Sequence, residues 1–157
     1  MNALVVFDSQ YGNTERIAQA IAEALRASGQ ARTARISAMG PGELQGIDML
    51  IIGSPTQGWR PTAPTQSFLR SLSADRLRGV NVTCFDTRFQ KPHWLTGSAA
   101  NVMGKRLHDL GVPLIAPPES FFVRDTEGPL YAGELERAAD WARALINLAQ
   151  LHPVGSR

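Results

Sequence analysis

Short apolar runs alternate along this chain with segments of helical period, and no other feature restricts its fold as much. Ala3-Leu4-Val5-Val6-Phe7 is unbroken, as expected of a strand buried on both faces. Ile17, Ala18, Ile21, Ala22 and Leu25 then recur at helical spacing, and Gly29 stands where that helix would end. Residues 31–36 form a more polar second strand, suited to a place near an edge. Met49-Leu50-Ile51-Ile52 is a third strand, and a helix beginning near Thr62 or Ala63 carries Phe68, Leu69 and Leu72. Residues 80–85 are a fourth strand, 86–97 a long polar loop, and 98–110 a helix stopped by Gly111. Residues 112–115 and 120–123 read as one strand interrupted at Pro117-Pro118. Proline has no N–H for a ladder, so this strand belongs at an edge or a bulge. The last helix, 133–148, carries Leu135, Ala138, Ala139, Ala142, Leu145 and Ile146 on one face.

Strands alternating with helices predict an α/β fold: a doubly wound parallel sheet with helices on both faces, three layers in all. The 157 residues suit one domain, residues 1–151, with 152–157 as a C-terminal tail. No apolar run exceeds five residues, too short for a bilayer span, and no signal peptide is expected. Cys84 is the single cysteine, so intrachain disulfides and cysteine metal clusters are excluded, and a cytoplasmic location is expected. It sits within a strand run, as a packed side chain would. His93, His108 and His152 lack metal-ligand spacing, so no metal is expected. Lysine plus arginine number 16 against 14 acids, a near balance that disfavours nucleic acid as partner.

Ligands of such sheets bind beyond the carboxyl ends of the strands. Ser9-Gln10-Tyr11-Gly12-Asn13-Thr14 follows the first strand and opens the first helix. Its hydroxyls, amide and helix-start N–H groups suit a phosphate, or they serve as an ordinary helix cap. Neither Gly-x-Gly-x-x-Gly nor a Walker lysine is present, and Gly-x-Ser-x-Gly is absent as well. Asp8 stands alone after strand one, and no lysine follows residues 120–123, which disfavours a phosphate-accepting receiver domain.

The run Val5-Val6-Phe7-Asp8-Ser9-Gln10-Tyr11-Gly12-Asn13-Thr14, followed by Ile17, Ala18 and Ile21, resembles the phosphate-binding signature of flavodoxins. The resemblance implies five strands in the order 2-1-3-4-5, bound FMN, and single-electron transfer between redox partner proteins, a reductase and an acceptor. It implies that Ser9, Gln10, Tyr11, Gly12, Asn13 and Thr14 hold the phosphate. Ser54, Pro55 and Thr56 would line the ribityl chain. Gln57, Gly58 and Trp59 would frame the ring, with Trp59 stacking on it or simply covering the sheet end. The peptide at Gly58 would turn to accept a hydrogen bond from the reduced ring, which glycine permits. Thr87, Arg88 and Gly97 would close the other side, with either Phe89 or Trp94 stacking.

Arg60, Arg88 and Lys91 place positive charge in loops where flavodoxins usually carry acids. If these side chains face the ring rather than water, the second reduction becomes easier. Two other functions remain open. One is an FMN-dependent NAD(P)H or quinone reductase, whose nucleotide phosphates would meet the basic loops. The other is an interaction module without flavin. No side chain is expected to act as acid or base.

Overall fold

A computed structural model describes residues 1–153; residues 154–157, most of the expected tail, lie outside the described residues. Five strands form one parallel sheet: β1 (Asn2–Phe7), β2 (Gln30–Arg35), β3 (Met49–Pro55), β4 (Asn81–Phe89) and β5 (Glu119–Val123). Their order is β2-β1-β3-β4-β5, the order expected. Helices α1 (Asn13–Leu25), α2 (Ala63–Arg70), a single turn α3 (His93–Thr96), α4 (Ala99–Asp109) and α5 (Glu134–Leu151) fill the connections. None is long and apolar enough to cross a membrane.

Side chains alternate across each strand, which splits the core in two. Ala3, Val5, Phe7, Met49 and Ile51 face α1 and α5, while Leu4, Val6, Leu50, Ile52 and Cys84 face α2 and α4. Phe85, Phe121 and Trp141 meet edge to face at 5.9–6.3 Å and seat α5 beneath β4 and β5.

Two boundaries differ from the sequence reading for one reason. β4 runs four residues past Phe85, so Asp86, Thr87 and Arg88 are strand residues paired with Ser120, Phe121 and Phe122. Residues 112–115 contribute a single bridge, Leu114 to Val82, before Pro117 and Pro118 interrupt the edge. With β5 starting at Glu119, opposite Phe85, pairing requires β4 to continue. The tertiary partner, not local polarity, sets the strand's end. The last helix likewise continues three residues further than expected, to Leu151.

The outer edge of β5 is covered. Residues 129–131 pair back on it through Arg124 N–H to Pro129 O (2.9 Å) and Tyr131 N–H to Phe122 O (3.0 Å). Glu134 Oε2 accepts the Phe122 N–H at 2.7 Å and is itself gripped by Arg137. Burial alone pushes the Glu134 pKa up, but the Arg137 hydrogen bond, the Phe122 N–H and the Arg137 charge outweigh it, and the carboxyl is held below its usual value. A lowered carboxyl stabilises the fold above its unfolded pKa, and that contribution disappears as pH falls through the folded value. We therefore expect Glu134→Gln to cost stability at neutral pH, by about 1–2 kcal/mol. Urea unfolding followed from pH 7 to pH 3 should show the gap to wild type closing with acid; a constant gap would contradict the latch.

Candidate functional site

Three loops converge beyond the carboxyl ends of β1, β3 and β4. A cavity of about 520 Å³ opens among them, lined by Gln10, Tyr11, Thr56, Gln57, Gly58, Trp59, Arg88, Phe89, Lys91, Leu95, Thr96 and Thr126. This is the place that the strand order dictates, where crossovers from β1 and β3 leave in opposite directions.

At one end is the loop 8–14. Gly12 caps α1 with φ 88°, a left-handed conformation that a Cβ would strain. Ser9 Oγ accepts the N–H groups of Gly12 (3.1 Å) and Glu15 (3.4 Å), so its own proton is free to be donated. The backbone N–H groups of Gln10, Tyr11, Asn13 and Thr14 have no acceptor among the described residues. Unpaired N–H groups at the positive end of a helix are suited to an anion. The Thr14 hydroxyl is turned away from that role: it is buried against Thr87 Oγ1 at 2.8 Å, tying this loop to β4.

The loop after β3 supplies one wall. Gln57 and Arg60 exchange backbone hydrogen bonds of 2.9 and 3.2 Å around Gly58 (φ 53°) and Trp59 (φ 74°). Positive φ at both central positions is the mark of a type I′ turn. Trp59 is the only non-glycine residue with positive φ among those described, and an L-residue there costs roughly 1–2 kcal/mol. Its side chain is 60% exposed and lines the cavity. The turn fits because Gly97 bridges to Trp59; a Cβ on Gly97 would lie 2.4 Å from Trp59 Cα. The Gln57 amide also donates to Gln10 Oε1, joining the first two loops.

The facing wall comes from residues 88–96. Phe89 and Leu95 line the cavity, whereas Trp94, 68% exposed, does not. Arg88 is fastened down: it donates to Ser120 Oγ (3.0 Å) and to Lys91 O (2.7 Å), with its guanidinium over the Phe122 ring. Lys91 remains exposed at the cavity, and Arg60 does not line it. Ser54 and Pro55 lie beneath the wall, where Ser54 Oγ donates to Pro55 O and accepts the Thr62 N–H.

One buried carboxylate joins these walls. Asp86 Oδ2 accepts from Ser98 Oγ (2.7 Å), Ala100 N–H (3.0 Å) and Thr56 Oγ1 (3.3 Å), and Thr56 Oγ1 accepts the Ala99 N–H. Oδ1 is buried without a hydrogen bond, with Arg88 Nε 4.0 Å away. Burial pushes the Asp86 pKa up; Ser98, Ala100, Ser120 and Arg88 oppose this without cancelling it. The sequence reading placed Asp86 in the loop after the fourth strand, because its role depends on contacts 12 to 30 residues away. Cys84 nearby is fully buried, and burial, then Asp86, raise its pKa, which suits a packed thiol.

Leu95 and Thr96 line the cavity although sequence reasoning did not single them out, and the same is true of Thr126. Its loop crosses to the site because Glu127 O accepts the Asn13 amide N–H at 3.2 Å. The turn residues Asp125-Thr126-Glu127-Gly128-Pro129 after the last strand were the available signal.

Asp86→Ala leaves three donors without their acceptor, and we expect a loss of about 3 kcal/mol in urea unfolding. A raised acid stabilises most below its unfolded pKa and loses that contribution as pH rises through the folded value. Asp86→Asn should therefore gain on wild type as pH rises above about 4; a gap that moves the other way would refute the upward shift.

A family model described as Flavodoxin matches residues 5–88. Among solved structures, a flavodoxin from the domain Archaea aligns at 20% identity and TM-score 0.77, covering 96% of this chain and 98% of that one. Flavodoxin 2 from Bacillus cereus aligns at 24% and 0.75, covering 94% and 99%. A flavodoxin, WrbA-like protein from Agrobacterium tumefaciens aligns at 20% and 0.74, covering 96% and 98%. These likenesses extend the shared fold over nearly the whole chain, and with the sequence match the chain belongs to the flavodoxin family.

Proposed function

We propose that this flavodoxin binds one FMN without covalent attachment and carries single electrons between a reductase and an acceptor protein. The observation that carries the reading is the cavity itself: apolar walls from Trp59, Phe89 and Leu95 beside a helix start with unpaired N–H donors. A flat ring with a phosphate tail asks for that combination. The family match supports the same cofactor. Cys84, the chain's single thiol, suits the reducing cytoplasm as its place of work.

In this reading the N–H groups of Gln10, Tyr11, Asn13 and Thr14, with the Ser9 hydroxyl, hold the phosphate. Gly12 permits the bend, and the Asn13 side chain fixes the outer loop. Thr56 faces the ribityl chain; Ser54, Pro55, Thr87 and Gly97 set the backbone behind the contact surface. Trp59 on one side and Phe89 with Leu95 on the other exclude water. We assign the stacking to Phe89 rather than Trp94, because Phe89 lines the cavity and Trp94 does not. Bound FMN would supply the one-electron redox chemistry.

The strained turn adds a conformational element. Rotating the Gly58–Trp59 peptide converts a type I′ turn to type II′, in which only the first central residue keeps positive φ. Trp59 would then regain an ordinary φ, so its present strain favours the rotation. The Gly58 carbonyl, which has no partner among the described residues, would then be free to accept a hydrogen bond from an N–H of a reduced ring.

Fluorescence titration with FMN should show saturable quenching, and stepwise anaerobic reduction should show a distinct one-electron form. Direct two-electron reduction by NAD(P)H would instead favour a reductase. No flavin spectrum after FMN addition would remove the cofactor reading altogether. Trp59→Gly should weaken FMN by about tenfold or more. Stability without flavin should change by less than about 1 kcal/mol, because lost packing and relieved strain offset each other. Lys91→Glu should make the second reduction harder by tens of millivolts; an unchanged potential would place Lys91 in bulk water.

A further inference from the structure

Most arginines in this chain have partners. Arg26, Arg32, Arg78 and Arg143 are in ion pairs, and Arg76 donates to a backbone carbonyl. Apart from Arg16, the arginines without a recorded partner among the described residues are Arg60, Arg70 and Arg106, and all three line one groove. This groove, about 470 Å³, lies between α2 and α4 and has Pro61, Leu69 and Val102 at its apolar surface. Its remaining wall includes Trp59, which therefore lines both the groove and the cofactor cavity.

The surrounding charge has one sign. α2, α4 and the Arg60 turn carry Arg60, Arg70, Lys105 and Arg106, with Asp109 as their single acid, and Asp109 is paired with Lys105. On the opposite face of the sheet, α1 and α5 carry Glu15, Glu23, Glu134, Glu136 and Asp140 against three arginines. A nearly neutral chain thus presents one basic flank beside its candidate redox site.

We infer that this groove docks an acidic redox protein; the inference rests on the FMN reading above. Three arguments favour that occupant. The arginines come from a turn and two helices, and the eight residues of α2 alone extend about 12 Å, more than one phosphate spans. Exposed tryptophan and arginine beside an exposed valine make the composition of a protein interface centre. Trp59 stands between the groove and the cavity, so a hydride donor in the groove could not reach the ~3–3.5 Å that bond formation needs. A single electron needs no such contact: the partner's reduced centre would lose one electron and bound FMN would gain it, with no bond formed between the two.

The test uses a plant-type ferredoxin, a small acidic iron–sulfur protein, titrated calorimetrically into the full chain with and without FMN. Saturable binding at low salt, weakened as salt rises, is expected. Arg70→Glu combined with Arg106→Glu should weaken it about tenfold or more, while Arg143→Glu on α5 should not. Both variants change exposed side chains, and circular dichroism would verify folding. In the FMN-loaded protein, stopped-flow oxidation of reduced ferredoxin should slow in parallel. Absence of saturable ferredoxin binding overturns the inference. So does equal weakening by Arg143→Glu, equally tight binding of a basic cytochrome c, or NADPH binding that alone responds to the groove substitutions. Calorimetry needs no flavin. Arginine-dependent binding without FMN uptake would sink the cofactor reading but leave the docking surface standing; FMN uptake without ferredoxin binding would do the reverse.

Discussion

A single carboxylate oxygen, Asp86 Oδ2, governs the spacing of the site. It takes hydrogen bonds from the loop after β3, through Thr56, and from the start of α4, through Ser98 and Ala100. The walls that carry Trp59 and Leu95 are therefore referenced to one buried point at the end of β4. Buried acceptors must be satisfied, so neither loop can drift without exposing a donor or leaving one unpaired. Arg88, two residues along the same strand, performs the complementary task from above. It binds the carbonyls of the loop that follows and leaves Lys91 as the exposed cation at the cavity.

The layered sheet was legible because its cause is local: apolar runs of strand length and helices with one apolar stripe. The loop that opens α1 was legible for a similar reason, since its hydroxyls and glycine sit together in sequence. What sequence could not supply was pairing. Asp86, Thr87 and Arg88 are as polar as the loop that follows, and they become strand only because β5 lies beside them. The same limit applied to Phe89 and Trp94, which read equally well as ring neighbours until the fold brought one of them to the cavity. Thr126 was invisible because its approach depends on an amide 113 residues earlier in the chain, Asn13, holding the carbonyl beside it.

The basic loops divide once their geometry is known. Arg88 is consumed by the scaffold, Lys91 faces the cavity, and Arg60 belongs to the groove between α2 and α4. Charges that look like one cluster in sequence thus serve three different surroundings. Trp59 separates two of them, and its unfavourable backbone conformation is maintained by Gly97 and by the paired backbone of Gln57 and Arg60.

The covered edge of β5 has a consequence for self-association. Open strand edges invite another chain to add a strand, and a parallel sheet has two of them. Here Pro129, Tyr131 and Glu134 already occupy backbone groups along β5, so an incoming strand would first have to displace them. The opposite margin, β2, stays open but bears Arg32 and Arg35, each paired with a nearby glutamate. An added strand there would have to accommodate fixed charges on both faces of β2. The carboxyl ends of the strands stay open to a partner while the sheet resists growing by accretion.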